Sequence, residues 1–211
     1  MTPVQAVISD FGGVLTSPLI GSFAAYQERS GIPFEALGRA MAAMAEREGA
    51  HPLFELECGR ITEAGFLAGL ETGLEADLGR PVTLHGFGEA YFEHLHPNDE
   101  LIEYMRALRD RGLRMAILTN NVREWEPLWR AKLPVDEIFE LVVDSGFVGM
   151  RKPDRAIYDL TLERLGLPAE ACLFLDDIEV NVDAARELGI LAVHFRDTEQ
   201  AIAELEAALA A

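Results

Sequence analysis

Cys172-Leu173-Phe174-Leu175-Asp176-Asp177-Ile178-Glu179-Val180-Asn181 is the stretch on which the fold turns. A short apolar run of strand length, Cys172 to Asp176, ends in two adjacent carboxylates. From Glu179 the chain reads as a helix that runs to Leu188 and stops at Gly189. Reading outward from there, Ile190 to Phe195 is a strand, and Asp197 caps a last helix rich in Ala, Glu and Leu. Toward the N-terminus, Asp154 caps a helix that ends at Gly166. Leu141 to Asp144 is a strand, Arg123 to Lys132 a short helix and Leu113 to Thr119 a strand. Asn98 caps a helix that stops at Gly112. The first strand is Val4 to Asp10, closed by Gly12-Gly13. Alternating apolar strands and helices imply a parallel sheet covered on both faces. The texture differs from Thr16 to Pro97, where Pro18 to Arg29, Pro33 to Glu48, Thr62 to Thr72 and Thr83 to His94 read as helices with no strand between them. The expectation is an α/β, doubly wound parallel sheet built from residues 1–15 and 97–211, with residues 16–96 inserted after the first strand as a helical domain.

Composition narrows the function classes. The 211 residues are 49% apolar and 26% charged, with 18 Lys and Arg against 36 Asp and Glu, a formal charge of −18. That balance argues against nucleic acid as the main partner, because phosphate backbones need clustered cations. It argues equally against an anionic membrane surface. A small phosphorylated substrate stays compatible, since local groups decide its binding once exposed charge is screened. The two cysteines, Cys58 and Cys172, form no framework. With no apolar span of membrane length and no secretory pattern at the N-terminus, a cytoplasmic location is expected. The oligomeric state is not legible.

Ligands of open α/β sheets bind outside the carboxyl ends of the strands. Here those ends carry Asp10, then Thr119 followed by Asn120 and Asn121, then Asp176 and Asp177. Any one of them also reads as a turn or cap residue; three such ends on one edge point to a site. Three bare carboxylates at one rim repel, and a hard divalent cation with oxygen ligands resolves that repulsion. Lys152, in Arg151-Lys152-Pro153, follows the third core strand and supplies positive charge. It is one of two lysines against sixteen arginines. A compact ammonium suits a phosphoryl group.

These residues carry a resemblance to the haloacid-dehalogenase superfamily of phosphatases. Asp10-Phe11-Gly12-Gly13-Val14-Leu15 resembles its first motif, Thr119-Asn120-Asn121 the second, Lys152-Pro153 the third and Asp176-Asp177-x-x-x-Asn181 the fourth. The fourth region, with Ala185-Arg186-Glu187-Leu188-Gly189, is similar to the phosphatase domain of soluble epoxide hydrolases and to bacterial glucose-1-phosphatase-like enzymes. The position of the insertion matches the family's helical cap. Receiver domains combine the same residue types but place the acidic pair after the first strand, which is not the order here.

The resemblance implies a Mg²⁺-dependent phosphomonoesterase acting on a small phosphorylated metabolite, with Asp10 as nucleophile and an aspartyl-phosphate intermediate. It implies metal ligation by Asp10, the carbonyl of Gly12 and Asp177, with Asp176 nearby or through water. Thr119, the Asn120 N–H and Lys152 would meet the phosphoryl oxygens, with Asn121 beside them, and Asn181 would hold the acidic loop. One position departs from the family. Most members carry a second Asp where this chain has Gly12, and loss of a general acid–base group typically costs about 10²–10⁴-fold in rate. Two further readings therefore stand: a dehalogenase using Asp10 without a metal, and a catalytically impaired domain that binds a phosphometabolite or a protein. In the inserted region, Phe54 to Thr62 reads as a loop. Arg60 is placed there to touch an anionic substrate, and His51 and Glu57 are candidates to replace the missing acid. Each of the three also reads as an ordinary surface residue. Trp125 and Trp129, four apart, read as helix packing first and as a substrate wall second.

Overall fold

The computed structural model describes residues 3–210. In chain order the elements are β1 (Ala6–Ser9), α1 (Leu19–Ser30), α2 (Phe34–Glu48), α3 (Pro52–Glu57), α4 (Glu63–Leu78), α5 (Phe87–Glu93), α6 (Asp99–Asp110), β2 (Arg114–Thr119), α7 (Glu126–Arg130), α8 (Val135–Ile138), β3 (Leu141–Asp144), α9 (Ser145–Val148), α10 (Arg155–Leu165), β4 (Cys172–Asp176), α11 (Glu179–Glu187), β5 (Leu191–His194) and α12 (Thr198–Leu209). Single 3-10 turns lie at Arg123–Trp125 and Ala169–Ala171.

The five strands form one parallel sheet in the order β3-β2-β1-β4-β5. The three central strands are buried almost throughout, whereas the edge strands β3 and β5 are partly exposed. Period-2 geometry sorts their side chains. Val7, Ile117, Leu173 and Leu175 point to one face, where they join α6 and α12 through Leu101, Met105 and Leu205. Ala6, Ile8, Leu118 and Phe174 point to the other, where Ile157 and Tyr158 of α10 and Ala185 of α11 cover them. Helices on both faces make the sheet doubly wound. The order reverses at β1, whose neighbours are β2 and β4, so the switch point where such sheets bind ligands lies at the carboxyl ends of β1 and β4. Asp10 N–H donates to the Leu175 carbonyl at 2.8 Å, which sets Asp10 level with the end of β4.

The inserted helices leave and rejoin the core at adjacent points. Thr16 bridges Pro97 antiparallel, Ser17 N–H donates to the His96 carbonyl at 2.7 Å and Asn98 N–H to the Leu15 carbonyl at 2.9 Å. Within the insertion, α2 and α4 pack closely because Gly73 faces Ala40. A Cβ at Gly73 would sit 2.9 Å from that of Ala40. Among the described residues, no helix is long and apolar enough to cross a membrane.

Several local expectations change. The segment 123–132 divides into a 3-10 turn and a five-residue helix, because Pro127 has no N–H with which to continue the preceding turn. The helix begun by Thr62, whose hydroxyl accepts from Gly65 N–H at 3.2 Å, runs on to Leu78 and stops at Gly79. Thr83–His94 shrinks to Phe87–Glu93, since Gly86 before it is left-handed with φ 71°. Phe54–Glu57 is helical, in α3, with Pro52 at its start. Asp154 precedes α10 without a capping hydrogen bond from its side chain.

Candidate active site

Each polar strand end arrives at the same edge because the strands are parallel and in register. Asp10, Asp176 and Asp177 each offer a carboxylate oxygen within 4.8 Å of the others. Lys152 Nζ lies between two of them, 2.7 Å from Asp10 Oδ1 and 2.6 Å from Asp176 Oδ2, and is 1% exposed. Asp176 is fully satisfied by protein. Ile178 N–H donates to Oδ1 at 2.8 Å, and Asn181 Nδ2 lies 3.1 Å from both oxygens. Asn181 is itself buried and its carbonyl accepts from Tyr158 OH at 2.9 Å. It therefore braces the acidic loop from one turn into α11. Asp177 differs: its Oδ1 is buried with no hydrogen-bond partner.

Three carboxylates facing one ammonium leave an excess of negative charge. Burial pushes the Asp10 carboxyl up to about 7; Asp176 and Asp177 push the same way, and Lys152 opposes them. Burial and then Asp176 raise Asp177 as well. Burial by itself would lower Lys152, but Asp10 and Asp176 outweigh it and hold the ammonium above its ordinary range.

The loops that carry these groups are tied to one another. Asn120 clasps the Lys152 backbone, its Oδ1 accepting from Lys152 N–H at 2.8 Å and its Nδ2 donating to the Lys152 carbonyl at 3.0 Å. Asn121 N–H donates to Ser145 Oγ at 2.9 Å, and its Oδ1 accepts from Val122 N–H at 2.9 Å. The Asn120 side chain thus fastens one loop to another, whereas that of Asn121 holds its own turn, and both residues line the cavity described below. His194, at the end of β5, was not anticipated. Its Nε2 lies 3.0 Å from the Asp177 carbonyl and steadies that loop.

The two glycines have different reasons. Gly13 is left-handed at φ 83°, and a Cβ there would lie 2.5 Å from Asp177 Oδ2. Close approach of Asp177 to the backbone requires it. Gly12 has no positive φ, and a Cβ there would have the Leu19 side chain as its nearest neighbour, at 3.2 Å, which would have to give slightly.

A cavity of about 410 Å³ opens between this strand-end rim and the inserted helices. Its polar end includes Asp10, Thr119, Lys152 and Asp177, and its walls come largely from α2, α3, α4 and α5. Glu57 lines it, 2.7 Å from Arg151 Nε, and burial raises its carboxyl although Arg151 opposes that. The expectation for Arg60 is corrected. Arg60 is exposed, pairs with Glu55 at 2.7 Å and does not line the cavity. It lies just past α3 and the left-handed Gly59, φ 63°, and its guanidinium is held by Glu55. Arg151, on the loop before Lys152, is the arginine that reaches the cavity. His51 is not on its wall either; it stacks on Phe54, ring centroids 4.3 Å apart. The tryptophans part company. Trp129 is fully buried against Phe11, with centroids 5.1 Å apart, whereas Trp125 lines the cavity and donates to Glu63 at 2.7 Å.

The family model for haloacid dehalogenase-like hydrolases matches residues 4–189, which include every group of this rim. The chain belongs to that family. It is thus a hydrolase with an α/β core of the Rossmann-like kind. It is 28% identical to bifunctional epoxide hydrolase 2 of Sus scrofa over 221 aligned residues, 96% of this chain and 38% of that one. It is 29% identical to glyceraldehyde 3-phosphate phosphatase of Methanocaldococcus jannaschii over 102 residues, 47% of this chain and 44% of that one. The chain thus covers less than half the length of either relative. A family enzyme of Bacteroides thetaiotaomicron, solved with magnesium and inorganic phosphate, superimposes with a TM-score of 0.68 at 21% identity, covering 92% of this chain and 94% of that one.

Proposed function

We propose that this hydrolase is a Mg²⁺-dependent phosphomonoesterase that works through an aspartyl-phosphate on Asp10. The observation that carries the reading is the unequal treatment of the acidic pair. Asp176 is saturated by Lys152, Asn181 and Ile178 N–H, while Asp177 keeps a buried oxygen with no partner beside Asp10. An oxygen-only donor set of that kind, with no His or Cys, fits a hard cation. Asp10, Asp177 and the Gly12 carbonyl would hold Mg²⁺, with Asp176 behind them. When bound, the metal supplies charge that offsets the phosphoryl oxygens. The relative named as a phosphatase, and the neighbour solved with magnesium and phosphate, support the same reading.

In this reading Lys152 fixes Asp10 through Oδ1, and the other carboxylate oxygen attacks phosphorus. The P–O bond to the alcohol breaks, and the alkoxide takes a proton from water, because Gly12 has none to give. Water then attacks the phosphorus of the aspartyl-phosphate and the P–O bond to Asp10 breaks; the proton released neutralises the hydroxide left by the first step, giving inorganic phosphate and the Asp10 carboxylate. Thr119 and the Asn120 backbone N–H bind phosphoryl oxygens, with Asn121 beside them, and Lys152 balances their charge. Residues 1–15 and 97–211 form the catalytic core, and residues 16–96 act as a cap over it. The acidic pair disfavours a metal-free dehalogenase. Phosphate release from p-nitrophenyl phosphate, with Mg²⁺ and with excess chelator, tests the proposal. Release with Mg²⁺ that chelator abolishes is expected. Full activity in chelator, or none in either, overturns it.

A further inference from the structure

The wall of the cavity opposite the rim is almost wholly apolar. Of the twelve lining residues between positions 16 and 96, ten are Phe, Leu or Met, and the other two are Glu57 and Tyr91. They arrive as helical stripes: Leu37 and Met41 from α2, Phe66 and Leu70 from α4, Phe87 and Tyr91 from α5, each pair four residues apart. Glu57 is paired with Arg151, 2.7 Å from its Nε through one carboxylate oxygen. The mouth is apolar as well. Phe34 and Ile178 line the cavity and are 46% and 51% exposed.

We infer that the group esterified to the phosphate is a hydrocarbon chain, not a sugar. This rests on the phosphatase reading for the reaction, but the shape and chemistry of the wall are independent of it. A sugar here would set several hydroxyls against phenylalanine and leucine, where they lose water without gaining partners. A hydrocarbon loses nothing on entering and gains by leaving water. The volume sets its size. An apolar cavity of about 150 Å³ takes up benzene, so 410 Å³ holds roughly sixteen heavy atoms. About five of those belong to the phosphoryl ester, which leaves roughly eleven carbons. The substrate class is therefore a monophosphate of a medium-length apolar alcohol, with the phosphate at Asp10 and the chain among α2, α4 and α5.

The test is a series of n-alkyl phosphates from ethyl to dodecyl, below their micelle concentrations, beside glucose 6-phosphate and ribose 5-phosphate, primary alkyl esters like the series, with Mg²⁺. The expected result is a kcat/KM that rises by up to about fourfold per methylene and levels near ten or eleven carbons, with both sugar phosphates far below. Met41→Trp, at a partly buried wall position, should lower the ratio of decyl to butyl phosphate and move the plateau to shorter chains. A flat series, or a sugar phosphate above decyl phosphate, overturns the inference. The matching alkylphosphonates, followed by the emission of Trp125 on the wall, separate the two readings. If no phosphate is released from any ester but affinity still climbs with chain length, the phosphatase reading fails and the apolar site stands. If phosphate is released but neither rate nor affinity depends on chain length, the reverse holds.

Discussion

The strand-end rim and the helical wall enclose one cavity and are built on opposite principles. The rim holds charged groups in place by saturating them: Lys152 between two carboxylates, Asn181 on Asp176, Asn120 on the Lys152 backbone. Asp177 is the member held least: its buried Oδ1 has no hydrogen-bond partner, beside the Asp10 carboxylate, where a cation would bind. The wall makes few directed contacts with whatever enters. It offers aromatic and aliphatic surface on short helices, which accommodates many shapes of similar size. Under the proposed function chemistry belongs to the rim and selection to the wall, and changes to each should be separable.

The largest effect should come from Asp10→Asn. The amide keeps the shape of the side chain but cannot form the acyl-phosphate bond. Turnover should fall by at least about a thousandfold for every substrate, short or long, as expected when a covalent nucleophile is lost. Preserved activity above about a tenth of wild type, in a sample checked for deamidation, would remove Asp10 from the mechanism and with it the division of labour between rim and wall.

Next in size is the metal. Chelation should lower activity by about a hundredfold or more, with recovery on adding Mg²⁺, since metal charge supplies several kcal/mol to such transition states. The acidic pair allows a sharper test. Asp177→Asn should raise the Mg²⁺ concentration needed for half-maximal rate more than Asp176→Asn does. Asp176→Asn should instead show mainly in stability, because Lys152 and Asn181 both rely on that carboxylate. The opposite order in a Mg²⁺ titration would show that Asp176 is the direct ligand.

A smaller effect is expected at Gly12. Without a proton donor there, rates should fall steeply as the leaving-group pKa rises, because general-acid help is what flattens that dependence. Gly12→Asp should speed alkyl phosphates relative to aryl phosphates by about ten- to a hundredfold. The backbone permits the change, since Gly12 has no positive φ, and the Leu19 side chain, 3.2 Å from the new Cβ, must give by a few tenths of an ångström. Gly13→Ala is the contrasting change: it collides with Asp177 and should weaken metal binding without altering the leaving-group dependence.

That contrast shows how much was legible beforehand. Apolar strand runs ending in polar residues located β1, β2, β3, β4 and the groups on their ends, because parallel strands in register must deliver those ends to one edge. Lys152 was readable from its place after the third core strand and the scarcity of lysine, and Asn181 from its spacing after Asp177 in the fourth motif. The wall was not. Phe66–Leu70 and Phe87–Tyr91 have the spacing of any buried helical stripe, and a stripe that faces a cavity is identical in pattern to one that faces a core. Arg60 was singled out from its place in the inserted segment, and nothing in the sequence pointed to Arg151, which lines the cavity. The helix α9, four residues long, is too short to show a period. Which glycine needed its conformation, Gly12 or Gly13, depended on how near Asp177 approaches.

The smallest effect tests whether a strand-end carboxylate belongs to the rim merely by position. Asp144 ends β3 as Asp176 ends β4, yet it does not line the cavity. Its Oδ1 accepts from Gly146 N–H at 2.9 Å and starts α9. Burial raises its carboxyl to about 6. A carboxyl raised on folding binds its proton more tightly in the folded chain. Its contribution to stability is therefore complete below the unfolded value near 4 and is lost as pH rises through 6. The full loss above pH 7 is at most about 3 kcal/mol, at 1.36 kcal/mol per unit. Asp144→Asn keeps the accepting oxygen and cannot ionise. The amide adds buried N–H groups of its own, which shifts the difference from wild type by the same amount at every pH. The informative quantity is thus the slope. The melting temperature of the variant should gain on that of wild type between pH 4 and 7 and run parallel to it above. The chain-length preference should not change, and kcat should move little. A parallel pair of melting curves from pH 4 onward would mean that Asp144 is ionised without penalty. A collapse in kcat would instead place β3 in the rim with β1, β2 and β4.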